Sequence, residues 1–232
     1  MNKTLGIIGG LGTETSCTFC LNINNAVQKA TDEQPRMIVD NVSMSNRGFK
    51  TLARGDFCPE ALGLLVDSTI RLNQAKVNLI VIPCNTVHVF IDTLRQISNV
   101  PIISIIDETA KECANQGFTT VGVLGSSMTI KEQLYTNALI KHSINTITPT
   151  AEDQKCMDEC IFRILNQQNN ENDRQRIQEI IKKLTAKGAN AIILGCTDLF
   201  LIVDQKDTEI PLINSTAVFE KTAIEWFLKD KE

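Results

Sequence analysis

Two of the eight cysteines stand where a thiol could do chemistry. Cys84 and Cys196 each follow a run of apolar residues, 79–82 and 191–194, and each is followed by a polar residue. A thiol can act as an acid or as a base near neutral pH, because its ordinary pKa is about 8.5. Two thiols on opposite faces of one carbon could therefore carry a proton across it, and they would exchange roles for the reverse reaction.

The surroundings of these two cysteines repeat within the chain. Leu79-Ile-Val-Ile-Pro-Cys-Asn85 matches Ala191-Ile-Ile-Leu-Gly-Cys-Thr197, and the asparagines that precede the two segments keep the same offset. Leu5-Gly-Ile-Ile-Gly-Gly10 likewise resembles Val121-Gly-Val-Leu-Gly-Ser126. Each half of the chain thus offers one strand that ends in a glycine turn and one strand that ends in a cysteine turn. The repeat predicts an internal duplication.

Alternating strands and helices must position the cysteine turns. We predict strands near residues 5–8, 37–40, 79–82, 102–106, 120–124, 191–194 and 211–214. We predict helices over residues 13–30, 60–74, 108–116, 130–141, 152–167, 172–187 and 217–229, with a further helix that begins near Val87. This alternation predicts an α/β fold built on parallel sheets. Such sheets bind ligands outside the carboxyl ends of their strands, where both cysteines are expected to lie.

The duplication predicts two domains that face each other across a cleft, so that both thiols reach one ligand. We place the boundary near Asn99. The first α/β domain then consists of residues 1–98 and 211–232 and carries Cys84, and the second consists of residues 99–210 and carries Cys196. Residues 211–232 are assigned to the first domain because Pro211 indicates a crossover that returns the terminal helix to it.

The composition argues against several classes of protein. The 232 residues are 43% hydrophobic and 22% charged, with a net charge of -4, which is typical of a globular protein. Lysine and arginine form no basic stripe, so nucleic-acid binding is not expected. The sequence shows neither a signal peptide nor an apolar run long enough for a membrane helix. We therefore expect a cytoplasmic protein whose cysteines are free thiols.

Four motifs together resemble the aspartate/glutamate racemase family, the PLP-independent amino-acid racemases with two cysteines. Pro83-Cys-Asn-Thr-Val-His88 is similar to the first cysteine motif of that family, and Gly195-Cys-Thr-Asp198 is similar to the second. Gly6-Ile-Ile-Gly-Gly-Leu-Gly12 is similar to the opening glycine loop, and residues 41–47 fit the loop that carries the substrate arginine. The motifs occur in the order of the family and span essentially the whole chain.

The resemblance implies racemisation of an acidic amino acid without a cofactor, with aspartate as the first choice and glutamate as the second. It implies two pseudosymmetric, doubly wound, Rossmann-like domains with the active site in the cleft between them, usually in a homodimer. Cys84 and Cys196 would be the acid/base pair, with Cys196 on the L face of the substrate and Cys84 on the D face.

The resemblance also assigns residues that would bind the substrate, namely Gly10, Arg47, Asn85, Thr86 and Thr197. Asn85, Thr86 and Thr197 would hold the α-carboxylate, partly through backbone N–H groups. Arg47 would pair with the distal carboxylate, because its guanidinium fork matches a planar anion.

The chain departs from the family pattern at three places. Asp198 stands where a glutamate is more usual, so any tuning of Cys196 by this residue would act from a shorter side chain. Asn166 and Gln167 stand in a segment where the family often carries a lysine that helps to bind the distal carboxylate. Thr13 replaces a proline that is common in the opening loop. The second departure removes a cation that a dicarboxylate would use.

Other functions remain open on the sequence. Gly10-Leu-Gly12, with Asp40 at the end of the second predicted strand, begins like the dinucleotide fingerprint of a nicotinamide-dependent oxidoreductase, but the third glycine is missing. A second alternative is another activity of the two-cysteine superfamily, such as glutamate racemase proper or the isomerisation of maleate or of a hydantoin. A third is a catalytically silent protein that binds a dicarboxylate.

Four further cysteines and one histidine have plainer interpretations. Cys17 with Cys20, and Cys156 with Cys160, have helical spacing. Together they could supply four zinc ligands, but neither pair lies on the short turn typical of a structural zinc site. We therefore expect thiols and no metal. His88, in the first cysteine motif, is expected to have a local structural role.

Overall fold

The structure is a computed structural model that describes residues 3–229 and contains two parallel β-sheets. The first sheet consists of β1 (Thr4–Gly9), β2 (Arg36–Asn41) and β3 (Leu79–Val81), in the order β2-β1-β3. The second consists of β4 (Thr120–Leu124), β5 (Asn145–Ile147), β6 (Ala191–Leu194) and β7 (Leu212–Asn214), in the order β5-β4-β6-β7. Every strand pair is parallel, so the predicted α/β fold with two parallel-sheet halves is confirmed.

Helices connect the strands in both halves. They are α1 (Thr13–Thr31), α2 (Asn46–Ala53), α3 (Pro59–Gln74), α4 (Ile91–Ile97), α5 (Ile105–Asn115), α6 (Ser127–Lys131), α7 (Leu134–Leu139), α8 (Ala151–Leu165), α9 (Glu171–Ala186) and α10 (Ser215–Leu228). Short 3-10 turns lie at Thr86–Phe90, Ile140–His142, Leu199–Leu201 and Gln205–Asp207. Between residues 3 and 229, no helix is both long and apolar enough to cross a membrane.

The main hydrophobic core is shared by the two halves. One cluster of buried side chains joins Leu5 and Phe19 of the first half to Val121 and Phe219 of the second half. The rings of Phe19 on α1 and Phe219 on α10 have their centroids 5.7 Å apart. Because burial of apolar surface is the main force that favours folding, this shared cluster holds the two sheets together and fixes the gap between them.

The sheet pairing corrects the predicted domain boundary in two respects. β7 is hydrogen-bonded to β6 in the second sheet, although the sequence interpretation assigns residues 211–232 to the first domain. Ile102 forms a parallel bridge with Ile80 at the edge of the first sheet, although residues 99–210 are assigned to the second domain. The two sheets therefore end at equivalent edges, and the helix that follows each edge packs on the other half. α5 packs on α7, and α10 packs on α1. The remaining division into domains stays a prediction.

Two predicted elements are wrong. Residues 102–106 form no strand beyond the bridge at Ile102, because the side chain of Ser104 accepts the N–H of Asp107 and begins α5 at Ile105. The helix predicted over residues 130–141 is divided into α6 and α7, because Gln133 between them adopts a left-handed conformation with a φ of 53°.

Candidate active site

Cys84 and Cys196 follow β3 and β6 and line one narrow cavity between the two halves. The polar lining of this cavity, whose volume is about 40 Å³, consists of Cys84, Asn85, Thr86, Ser126, Cys196, Thr197 and Asp198. A wider cavity of about 280 Å³ adjoins it, since both are lined by Met44, Phe49 and Leu165. Together they reach the lower end of the range for small-molecule sites, about 300 Å³.

The two thiols have matching surroundings. The backbone N–H groups of Thr86 and Val87 lower the pKa of Cys84, and those of Asp198 and Leu199 lower the pKa of Cys196. In both turns these are the second and third residues after the cysteine. Each thiol therefore faces a pair of N–H groups at the start of a 3-10 turn, where a negative charge on sulfur is stabilised.

Burial opposes this stabilisation and is the larger effect. Burial, aided by the negative charge of Asp198, raises the pKa of Cys84 to about 12. Burial and the charges of Asp198 and Cys84 hold the pKa of Cys196 well above its ordinary value. Both thiols therefore keep their protons at neutral pH unless a positive charge comes close to one of them.

Asp198 ties the second cysteine turn to the start of α1. Its carboxylate accepts a hydrogen bond from the hydroxyl of Thr15, and it lies 3.9 Å from the Sγ of Cys196. Burial, with repulsion from Glu14, raises the pKa of Asp198. A Cβ on Gly12 would lie 3.0 Å from the carboxylate, so a glycine here lets the loop approach it closely. Sequence reasoning missed Thr15, whose partner lies in the other half.

The first cysteine turn is tied to the second half in an equivalent way. The hydroxyls of Thr86 and Ser126 lie 2.9 Å apart, and Ser126 also accepts the N–H of Thr129 at 3.3 Å. Ser126 precedes α6 as Gly12 precedes α1. The start of α6 thus meets the first cysteine turn as the start of α1 meets the second, which gives the site its approximate twofold symmetry.

Asn85 is held by side chains of the second half. Its Oδ1 accepts a hydrogen bond from the hydroxyl of Tyr135 at 2.5 Å, and its Nδ2 donates to the Oγ of Ser215 at 3.0 Å. Ser215 in turn donates to the carbonyl of Leu194 at 2.7 Å. The Asn85 side chain therefore has one amide proton left for a ligand. No motif marks Tyr135 or Ser215, and the one sequence signal is that Tyr135 is the single tyrosine.

His88 is hydrogen-bonded to the backbone of the first cysteine turn. Its Nδ1 lies 2.8 Å from the carbonyl oxygen of Cys84, and its Nε2 accepts the N–H of Ile105 at 3.2 Å. Because Nε2 is an acceptor, the proton of the neutral ring is on Nδ1 and is donated to Cys84. Burial lowers the pKa of His88 to about 4. The ring is therefore neutral at physiological pH and joins the turn to α5.

The wider cavity has a mixed lining that includes Thr13, Asn41, Ser43, Asn46 and Asn166, whereas the narrow cavity is apolar away from the thiols. The narrow cavity is closed there by Leu11, Met44, Phe49, Leu52, Ala53, Ile161 and Leu165. Among the described residues, Asp198 carries the one carboxyl group that lines either cavity, and no lysine or arginine does so.

The predicted substrate residues are not all brought together. Gly10 lines the wider cavity, and so does Asn166. Arg47 lies on α2 but is exposed and lines neither cavity. Hydrogen bonds from Ser45 lower the pKa of Glu60, and the charge of Arg47 contributes to this shift, so Arg47 acts near α3.

Within residues 3–229, the cysteine pairs outside the site belong to no group of three His, Cys, Asp or Glu side chains that could hold an ion. Cys17 and Cys20 lie on α1 as free thiols. Cys160 lies 3.5 Å from the carboxylate of Asp173 and 3.6 Å from the guanidinium of Arg163, which are themselves ion-paired.

The chain is similar to known racemases over nearly all of its length. The family model for Asp/Glu/hydantoin racemases matches residues 8–222. The broad specificity amino-acid racemase RacX of Bacillus subtilis (strain 168) is 26% identical over 229 residues, which are 97% of this chain and 98% of the relative.

Solved structures share the fold as well. An aspartate racemase homologue from Pyrococcus horikoshii OT3 has a TM-score of 0.75 at 27% identity, and the match covers 97% of this chain and 99% of that one. The aspartate racemase of Picrophilus torridus has a TM-score of 0.80 at 22% identity, covering 97% and 94%. The resemblance found in the motifs is confirmed, and the chain belongs to the Asp/Glu/hydantoin racemase family of isomerases.

Proposed function

We propose that this enzyme racemises an α-amino acid by moving the α-proton between Cys84 and Cys196 without a cofactor. The observation that supports this most directly is the matched setting of the two thiols, which line one cavity and each face two backbone N–H groups. A racemisation runs in both directions on nearly equal substrates, and two equivalent acid/base groups suit such a reaction.

The proposed step moves one proton in and one proton out. In the L-to-D direction the thiolate of Cys196 takes the α-proton, so that an S–H bond forms as the Cα–H bond breaks. The electron pair stays on the substrate and is delocalised into the α-carboxylate. The thiol of Cys84 then gives its proton to the other face of the carbon and becomes a thiolate. The reverse reaction begins from that state.

The substrate itself would supply the charge that makes a thiolate. Loss of contact with water and the charge of Asp198 raise the pKa of both thiols. An α-ammonium group brought into the cavity would offset that charge and lower the pKa of the nearer thiol. The α-carboxylate would be bound by Thr86, Thr197 and the remaining amide proton of Asn85, with Gly10 close to the substrate in the adjoining cavity.

The names of the relatives support an amino acid as the substrate, since one is called an aspartate racemase and another a broad specificity amino-acid racemase. The preference for aspartate over glutamate stays a prediction, and so does the role of Arg47 toward a distal carboxylate. The homodimer and the cytoplasmic location also stay predictions. Isomerisation of maleate or of a hydantoin, and silent binding of a dicarboxylate, are alternative outcomes of the test.

The test is proton NMR of single L-amino acids in D2O with no cofactor added, followed by chiral chromatography. We expect the α-proton signal to disappear and the D enantiomer to accumulate. Cys84→Ser and Cys196→Ser should each slow this by at least about 100-fold, because acid/base groups contribute that much. Cys17→Ser, on the exposed surface of α1, is the matched control and should keep the wild-type rate. Full turnover in either active-site variant would contradict the proposal, and binding without exchange would indicate a silent binding protein.

A further inference from the structure

We propose that Tyr135 and Ser215 are positioning residues, which hold the amide group of Asn85 so that one of its N–H groups faces the α-carboxylate of the substrate. This inference rests on the proposed function, which places Asn85 beside that carboxylate. Tyr135 lies on α7 and Ser215 begins α10, and both helices follow strands of the second sheet. Asn85 follows Cys84 in the first half of the chain. The second half would therefore orient the group that binds the substrate next to Cys84.

A backbone carbonyl fixes the direction of the hydrogen bonds around Asn85. The carbonyl oxygen of Leu194, at the end of β6, can only accept, so Ser215 uses its single hydroxyl proton on it at 2.7 Å. The Oγ of Ser215 can then only accept, and it receives a hydrogen bond from the Nδ2 of Asn85 at 3.0 Å. With Nδ2 on that side, the Oδ1 of Asn85 faces Tyr135 and accepts its hydroxyl proton at 2.5 Å. The end of β6 therefore determines which way the amide group points.

Burial makes this arrangement hard to reverse. Asn85 and Tyr135 are each 1% exposed, and Ser215 is 0% exposed. Burial raises the pKa of Tyr135 above its ordinary value, so the hydroxyl keeps its proton and remains a donor. If the amide group were turned over, its oxygen would face the Oγ of Ser215, which has no proton to give, and its N–H groups would face the proton of Tyr135. Two buried hydrogen bonds would then be lost without replacement by water, which is unfavourable.

The fixed amide group gives the narrow cavity a donor rather than an acceptor. Asn85 lines this cavity, and its Nδ2 carries a second proton that none of the described residues accepts. A donor in this place attracts a carboxylate, and a hydrogen bond to a charged group is stronger than one between neutral groups. The carbonyl oxygen of a reversed amide group would repel the carboxylate. In the proposed step the electron pair moves into the α-carboxylate, so a donor that is already in position stabilises the charge that develops.

The same chain of hydrogen bonds links the two cysteine turns. Leu194 stands two residues before Cys196, and Asn85 stands one residue after Cys84. Ser215 joins them, because it donates to Leu194 and accepts from Asn85. The donor beside Cys84 is therefore held by the strand that precedes Cys196, and its orientation depends on the contact between the two halves.

The first measurement is NMR of the ligand-free enzyme labelled with ¹⁵N-asparagine, in which Asn85→Ala and Asn25→Ala identify the side-chain signals of the two residues. Asn25 lies exposed on α1 and provides the comparison. We expect the amide protons of Asn85 to exchange with water at least about tenfold more slowly than those of Asn25, because exchange requires a local opening of the buried hydrogen bonds. Tyr135→Phe and Ser215→Ala should each shift the Asn85 signals and speed their exchange. Asn85 signals that exchange as fast as those of Asn25, or that neither substitution alters, would overturn the inference.

The second measurement is calorimetric titration with L-alanine and with L-aspartate, which share the α-carboxylate and differ in the side chain. Enantiomers have equal enthalpies, so turnover releases no net heat and the signal reports binding. Tyr135→Phe and Ser215→Ala should each weaken the binding of both amino acids by at least about tenfold, which is the size expected for the loss of a hydrogen bond to a charged group. Unchanged binding, weaker binding of one amino acid alone, or neither amino acid binding to the wild type would overturn the inference.

A double-mutant cycle separates positioning from a general loss of stability. If Tyr135 acts through Asn85, Tyr135→Phe should change the dissociation constants by less than about twofold when Asn85→Ala is already present. Thr69→Val is the matched control, because the buried hydroxyl of Thr69 donates to the carbonyl of Leu65 on α3 and Thr69 lines neither cavity. Thr69→Val should lower the free energy of unfolding and leave binding unchanged. An equal effect of Tyr135→Phe in the presence and in the absence of the Asn85 side chain would overturn the inference.

Exchange in D2O separates this inference from the proposed function. If the substitutions weaken binding as expected but the wild type exchanges the α-proton of no amino acid, the proposed reaction is refuted while the positioning role stands. If Tyr135→Phe and Ser215→Ala exchange the α-proton at the wild-type rate at low substrate concentration, the positioning role is refuted while the two-thiol reaction stands.

Discussion

A fall in pH from about 7 to about 5 is expected to destabilise the fold through His88. The ring is 2% exposed and is neutral in the folded protein, with its Nδ1 proton donated to Cys84 and its Nε2 accepting from Ile105. A second proton would have to go on Nε2, which would then face the N–H of Ile105 with another donor. The folded state therefore resists protonation of this ring, whereas the unfolded chain does not.

The size and sign of the effect follow from the two pKa values of His88. Burial lowers the pKa from 6.5 to about 4 in the folded protein, so the unfolded chain binds more protons between these values. The free energy of unfolding then falls as the pH falls through that window. The full difference corresponds to about 3 kcal/mol, and about 2 kcal/mol of it is lost by about pH 5.

Urea unfolding at about pH 7 and at about pH 5 measures this loss. His88→Gln should be less stable than the wild type near neutrality but should lose about 2 kcal/mol less between the two pH values. The matched control is His142→Gln, because His142 is the only other histidine and is exposed. His142→Gln should retain the wild-type pH dependence. An equal loss in the wild type and in His88→Gln would refute the assignment of a buried, neutral ring.

Three further outcomes are expected. Tyr135→Phe removes the donor to the buried Oδ1 of Asn85 and should lower the free energy of unfolding by about 1–3 kcal/mol. Urea titration measures this loss, and an unchanged unfolding midpoint would contradict the hydrogen bond. Gly10 has a φ of 86°, and a Cβ there would lie 2.3 Å from the carbonyl oxygen of Val42, so Gly10→Ala should lower the free energy of unfolding by at least about 1–3 kcal/mol. Gly63 lies on α3 with open space around its Cβ position, so Gly63→Ala should raise the free energy of unfolding by about 0.5–1 kcal/mol. The racemisation rate at low substrate concentration should rise toward alkaline pH, because the raised pKa values of the thiols limit the fraction of thiolate. A flat pH profile would contradict these raised pKa values.

The sequence by itself determined the features that depend on neighbours along the chain. The apolar runs at 79–82 and 191–194 predict the buried strands β3 and β6, because a strand buried on both faces needs apolar residues at every position. The matching residues around Cys84 and Cys196 predict two equivalent turns, because similar local sequences favour similar local structure. The prediction failed at residues 102–106, where apolar residues resemble a strand but the cap at Ser104 begins a helix.

Only the tertiary structure decided how the two halves meet. The contacts of Asn85 with Tyr135 and of Asp198 with Thr15 join residues far apart in the sequence. Such pairs depend on how one sheet is oriented against the other, which no local pattern specifies. Tertiary structure also decided the pKa values of the thiols, the exposure of Arg47 outside the cavity and the apolar wall of the narrow cavity. Each depends on which side chains and how much water surround a group, and that is set when the shared core brings the two sheets together.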